Sequence, residues 1–285
     1  RLRAHRLGKG MTPDELAEKL GISRAALYRA EKGQIRKIEM LTSIAVELGI
    51  SLPNLLGVGV EYVSAATTFF ERMRQLEEGS QQIIGLFSPV SYLLTSKDYD
   101  AMLQEVLKES PDGVDPDGTS ADTVDSLLDI LLARKRAFQL RRPLIVSLIS
   151  SADLERFLLH GPVGRHDLPG EIVDRRRRMA RREAEYILSM LHEQPIGIQI
   201  GIVREPVPAT SFQIFRQAER SVLAISPFRL GDQPNIRLGV ALITSATEAM
   251  TLHEDIAERL WRDALKGADA AAYLETMIGK YAIAP

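Results

Sequence analysis

The residues from which metal or nucleophilic chemistry would be built are sparse. There are five histidines, His5, His160, His166, His192 and His253, and no cysteine. His160 and His166 stand six apart in the stretch HGPVGRH with no carboxylate cluster beside them, which is poor spacing for a metal and reads as a surface loop. His253 opens HEDIA, which lacks the second histidine of a zinc-protease helix, and neither a Gly-x-Ser-x-Gly elbow nor a Walker loop occurs. The stretch SPDGVDPDGTSAD, residues 110–122, lacks the spacing and closing glutamate of a calcium loop and reads as a flexible connector. No cofactor, no metal and no enzymatic activity are expected.

The chemistry that the sequence does offer is cationic. Residues 1–57 carry ten Lys/Arg against six Asp/Glu, a net of +4, while the whole chain of 285 residues is at −2, so the remainder stands at −6. A small basic head on an acidic body is the arrangement expected when only the head meets a polyanion. A second concentration, DRRRRMARRE at residues 174–183, places six arginines within eight positions of a helix. It reads as a solvated face paired with Glu171, Asp174, Glu183 and Glu185 at helical spacing; an anion pocket, a second DNA contact and a dimer seam are the functional alternatives.

Local signals place short helices around the head's cations. Thr12-Pro13-Asp14-Glu15 is a helix start, with Thr12 as N-cap, Pro13 at the first position and Glu15 placed for a capping box. That helix carries Leu16, Ala17 and Leu20 on one face and stops at Gly21. Ser23 caps a second helix that turns Ala26, Leu27 and Ala30 inward and leaves Arg24, Ala25, Tyr28 and Arg29 outside, until Gly33 ends it. Arg1 to Lys9, the periodic run Ile38, Leu41, Ile44, Ala45 and Leu48, and the segment from Ser51 to Leu56 complete five helices.

Those residues carry a resemblance. The stretch from Leu2 to Leu56 resembles the Cro/C1-type, or XRE-family, helix-turn-helix domain, with MTPDELAEKLGIS across the first motif helix and turn, RAALYRAEKG as recognition helix, and LTSIAVELGISLPNLL closing the bundle. The resemblance implies a recognition helix in the major groove with its N-terminal residues toward base edges. Arg24, Ala25 and Arg29 are then the base readers, with Ser23 and Tyr28 nearby. An arginine suits guanine O6 and N7, and Ala25 suits a thymine methyl. The family often has glutamine after the capping threonine where this chain has Pro13, so phosphate anchoring falls to Thr12, backbone N–H groups, Lys32 and Gln34.

Behind a joint at Gly57–Gly59 the pattern changes, and the expected domains are 1–57 and 60–285. A helix is expected from about Glu61 to Glu77. QQIIGLFSPVSYLL, PLIVSLISS, IGIQIGIVRE, SVLAISPF and IRLGVALITS read as strands. Helices are expected over 98–108, 123–140, 170–193 and 254–266. The fold class is α plus α/β: a five-helix head, then a larger α/β domain with a mixed or mostly parallel sheet covered by helices on both faces. RMRQLEEGSQQIIGLFSP and IFRQAERSVLAISP share an order of helix end, Arg-Gln and strand closing on Ser-Pro, which points to a two-fold pseudo-repeat. Such a body resembles the phospholipase D-like sensor fold, but the His-x-Lys and following Asp of that family's catalytic signature are missing, so the resemblance implies an inactive fold.

The function expected is that of a dimeric transcriptional regulator on double-stranded, inverted-repeat DNA, its affinity set by a small-molecule effector in the C-terminal domain. Strand ends of open sheets form clefts, and Ser88, Ser150, Ser226 and Arg229 are the candidate ligand contacts, Arg229 suiting an acidic metabolite. An antitoxin-like or other protein-interaction module is the alternative, followed by a DNA-tethered enzyme such as a phosphodiesterase. No secretion signal follows Arg1-Leu2-Arg3 and no apolar run nears the ~18 residues of a membrane span, so a cytoplasmic protein without a membrane partner is expected.

Overall fold

The computed structural model describes residues 1–35, 37–89, 91–109, 121–165, 167–231 and 233–284. The Asp-rich connector and His166 thus lie outside the described residues, apart from the helical positions 121 and 122.

Five helices come first: α1 (Leu2–Gly8), α2 (Pro13–Lys19), α3 (Arg24–Glu31), α4 (Ile38–Leu48) and α5 (Leu52–Leu56). Their starts follow the chemistry of the chain. Thr12 and Glu15 form the reciprocal capping box of α2, and the hydroxyls of Ser23 and Ser51 accept from Ala26 N and Asn54 N at the starts of α3 and α5. Gly21 follows α2 at φ +62°, a conformation that costs a residue with a Cβ about 1–2 kcal/mol. Leu16, Leu27, Ile44 and Leu48 close a core of the head's own.

The rest of the chain is built on one sheet. Among the described residues its strands are β1 (Val60–Val63), β2 (Ser80–Phe87), β3 (Leu144–Ser150), β4 (Ile198–Val203), β5 (Ser211–Gln217), β6 (Ser221–Ser226), β7 (Ala241–Thr244) and β8 (Leu265–Lys266). They lie in the order β1-β7-β6-β5-β2-β3-β4-β8. Only β2 with β3 and β3 with β4 pair in parallel; the other neighbours are antiparallel. The sheet is therefore mixed, and a mostly parallel one is ruled out by the β5–β6 hairpin and by the edges that β1 and β8 supply.

Helices α6 (Ala66–Glu78), α7 (Lys97–Lys108), α8 (Ala121–Arg141), α9 (Ser151–His160), α10 (Gly170–Glu193) and α12 (Gly267–Tyr281) supply side chains to a core that includes Ile83, Ile145, Ile149, Ile202 and Phe215 of the sheet. The alternate residues Leu86, Leu148, Phe212, Ile214 and Leu223 face the other way and meet α11 (Thr247–Asp263) through Met250, Ala257 and Leu260. This two-faced burial is what the near-continuous apolar runs of the central strands require.

Four sequence expectations change here. Residues 60–63 form an edge strand paired with β7, so the helix expected from Glu61 starts at Ala66. The pairing partner lies some 180 residues away, which no local pattern can show. IFRQ belongs to strand β5 whereas RMRQ lies in helix α6, so the shared helix-end order behind the pseudo-repeat is absent. The arginine-rich stretch of α10 is not a plain solvated face: Arg176 is buried, with Nη1 on the Met102 carbonyl of α7 at 3.2 Å and Nη2 on Oε1 of Glu109, the residue after α7, at 2.5 Å. Glu183 is buried too and accepts from Ser96 N and Oγ at 2.9 and 2.6 Å instead of pairing along its helix. Among the described residues, only Arg177 with Asp174 and Arg181 with Glu185 follow the expected spacing. Finally, His160 closes helix α9 at an exposed position rather than opening a loop.

Candidate functional site

Helix α3 is held from beneath and left open above. Leu27 and Ala30 are buried against the head core, and Arg6 of α1 fixes the far end of α3, its Nε on Glu31 Oε1 at 2.7 Å and its Nη1 on the Met11 carbonyl at 2.8 Å. Arg6 is itself buried, a positioning role for which the sequence carried no signal beyond its place in α1. The outward face of α3 is Arg24, Ala25, Tyr28 and Arg29, all exposed, with Ser23 exposed at its start and Lys32 and Gln34 exposed beyond its end.

The state of these groups differs. Arg24 Nη1 rests on Asp14 Oδ2 at 3.3 Å, with both side chains about two-thirds exposed. Such a pair contributes little and costs little to exchange for another acceptor. Lys32 Nζ lies 5.4 Å from the centre of the Tyr28 ring, a cation–π contact that keeps the ammonium on the same face as the arginines. Thr12 is already engaged, its Oγ1 accepting from Glu15 N at 3.2 Å and donating to Glu15 Oε2 at 2.9 Å. The Thr12 N–H, 2.7 Å from Glu15 Oε2, and the Thr12 hydroxyl hold the Glu15 carboxyl below its usual value. The structure thus brings Ser23, Arg24, Ala25, Tyr28, Arg29 and Lys32 to one surface.

Residues 2–55 match a helix-turn-helix family model. The N-terminal domain is a helix-turn-helix domain. The match runs from the start of α1 into α5 and ends before β1. No curated protein matches the chain. Among solved structures, TrmBL2, an archaeal chromatin protein whose structure shows a novel mode of DNA binding, is similar at 11% identity over 93% of this chain and 92% of that one, with a TM-score of 0.32. A likeness at that level carries no conclusion about this chain. No helix among the described residues is long and apolar enough to cross a membrane.

In the body, the four residues expected at strand ends do meet. β5 runs against both β2 and β6, so β2, β3, β4 and β6 all point the same way, and their carboxyl ends open on one cleft of 690 Å³. Ser88, Ser150, Ser226 and Arg229 all line it. Two of the hydroxyls have local duties: Ser150 Oγ accepts from Asp153 N at 3.4 Å as the cap of α9, and Ser226 Oγ accepts from Phe228 N at 2.9 Å. Arg229 Nε donates to the Gln233 carbonyl at 2.8 Å, which holds the exposed guanidinium at the cleft wall.

Three further residues of the wall escaped sequence reasoning. Arg156 of α9, Arg204 after β4 and Asn235 in the loop after β6 come from segments far apart in the chain, and only the sheet order assembles them. Against three arginines the wall sets Asp153 and Glu205. Arg156 Nη2 pairs with Asp153 Oδ1 at 2.8 Å. Clefts of this size are of the order that small molecules occupy, about 300–1,000 Å³.

Proposed function

We propose that the chain is a dimeric, sequence-specific transcriptional regulator. Its head, residues 1–57, reads double-stranded DNA; its body, residues 60–285, joins two copies and adjusts DNA affinity when a small molecule occupies the cleft. The observation that carries the reading is the outward face of α3, where Arg24, Ala25 and Arg29 stand exposed on a helix whose other side is locked into the head core. Two arginines five positions apart suit guanine edges in a major groove, and the +4 charge of residues 1–57 supplies the phosphate attraction.

Dimerisation is part of the proposal because one such module touches few bases, whereas a two-fold pair reads half-sites about 34 Å apart. The effector is supported by the cleft and its three arginines, which favour a small molecule with an acidic group. The phospholipase D-like likeness of the body adds nothing to this reading, which assigns it no catalysis.

The test is selection of binding sites from random DNA at fixed, near-physiological salt, by the full chain and by Arg24→Ala and Arg29→Ala. An enriched inverted repeat containing guanine, with discrimination relaxed in either variant, supports the reading. Failure to enrich any sequence sinks it and turns the α3 face into a protein contact.

A further inference from the structure

Beside the cleft lies a second, smaller cavity of 60 Å³ that shares Ser88, Ser211 and Arg229 with it. Its other walls are aromatic, Phe69, Phe70, Phe87, Tyr92 and Phe228, apart from Ser91, Arg134, Gln213 and Leu230. Three of these residues carry buried polar atoms with no hydrogen-bond partner: Ser91 Oγ, Arg134 Nη1 and Gln213 Oε1. Ser91 and Arg134 are themselves 0% and 3% exposed. A buried donor or acceptor left unpaired costs about 1–3 kcal/mol. Three on the lining of one small space make it a candidate site for a polar partner.

The charge of the slot decides what that partner is. The Arg134 guanidinium is already neutralised by Glu77, which takes its Nε at 3.0 Å and its Nη2 at 2.6 Å in a buried two-point pair. The rings of Phe70 and Tyr92 lie 5.3 and 6.0 Å from its Cζ. Tyr92 spends its hydroxyl on Asp100 at 2.9 Å. What remains open is a donor on Nη1, a hydroxyl that can play either part and an amide oxygen that accepts. An anion would find Nη1, whose guanidinium is already paired with Glu77, and would meet the Gln213 oxygen; the other cation of the lining, Arg229, stands at the exposed rim, so a charge carried in among the aromatic walls is costly.

We propose that this slot binds the neutral, planar carboxamide-type edge of a small ligand, its carbonyl taken by Arg134 Nη1 and Ser91 Oγ and its N–H by Gln213 Oε1, with the rest of the molecule in the outer cleft. The volume holds about two waters or a group of that size. The proposal rests on the reading of the cleft as an effector site and names the chemistry that the effector carries inward.

The experiment titrates the full-length protein with nicotinamide and, separately, with its near-isosteric acid, nicotinate, following the side-chain amide and guanidinium resonances. Nicotinamide binding weakened 3-fold or more in Ser91→Ala and in Gln213→Leu is expected, whereas nicotinate binding, which the arginines of the outer cleft can take, should be insensitive to both. Ser91→Ala removes a hydroxyl with no hydrogen-bond partner among the described residues, so the fold should be retained, as an unchanged melting temperature would show. Nicotinate binding as tight as that of nicotinamide and weakened alike by both variants overturns the proposal, as do the absence of any nicotinamide response and an affinity that neither variant alters; two resident waters would produce the second result. Affinity for the selected DNA, measured in the same samples, separates the two ideas. Nicotinamide binding that obeys both variants but leaves DNA affinity unchanged upholds the slot and removes the signalling role.

Discussion

Arg72 grips Glu61 by two hydrogen bonds, Nε to Oε1 at 2.7 Å and Nη2 to Oε2 at 3.0 Å, with both side chains buried. Arg1 Nε reaches the same Oε2 at 3.2 Å, and His5 Nε2 stands 3.7 Å from Oε1, beyond hydrogen-bond range. One carboxylate on β1 thereby ties α6 of the body to α1 of the head. Glu61→Ala leaves a buried guanidinium without its counter-ion, and a loss of about 3–5 kcal/mol in urea unfolding is expected. The paired change Glu61→Leu with Arg72→Met should recover most of it. A single-mutant loss under ~1 kcal/mol would show that the pair does not hold the two parts together.

The same carboxylate sets an acid limb. Burial pushes Glu61 up, but His5, Arg72 and Arg1 outweigh it and hold the group at about 2 against 4.5. A folded value below the unfolded one means stability fully present above about pH 4.5 and lost as pH falls toward 2, about 3 kcal/mol in all. Glu71 is shifted in the same direction, with burial opposed and overcome by Arg74 and Gln75. Glu183 runs the other way, raised chiefly by burial, so its contribution improves as pH drops toward its unfolded value. Unfolding free energy measured from pH 7 to pH 2.5 should rise slightly or hold, then fall below pH 4.5, and Glu61→Gln should flatten that fall. An unchanged acid limb in the variant would remove Glu61 from the account.

On selected DNA, Arg29→Ala and Arg24→Ala should each cost about 1–3 kcal/mol, a 5- to 150-fold loss of affinity for the preferred site with little change on unrelated DNA. Lys32→Ala should instead weaken both equally and reduce the slope of log affinity against log salt by about 0.9. The pattern reversed, with Lys32 setting sequence preference, would mean that the helix is docked otherwise than proposed.

Thr12 has a structural duty that can be separated from any phosphate contact. Thr12→Ala removes the reciprocal cap of α2 and should lower stability by about 0.5–2 kcal/mol. Thr12→Ser keeps the hydroxyl and should recover both stability and DNA affinity. If Thr12→Ala proves as stable as the parent yet binds DNA more weakly, the hydroxyl acts on the phosphate.

The sequence alone determined the head, because everything that shapes it is local. Caps at Thr12, Ser23 and Ser51, stops at Gly21 and Gly33, and apolar residues at helical spacing each act within a few positions, and all five helices lie where those signals put them. The central strands were legible for a similar reason, being apolar on both faces. What only the tertiary structure decided depends on distant partners. Val60–Val63 is a strand because β7 is there to pair with it. Arg176 and Glu183 are buried because α7 and Ser96 meet them across the core. The cleft exists because β2, β3, β4 and β6 end on one side, and the slot beside it because Arg134, Ser91 and Gln213 converge from α8, the segment before the 3₁₀ turn at Tyr92–Leu94, and β5. Spacing along the chain encodes which face a residue takes; it does not encode which remote segment that face will meet.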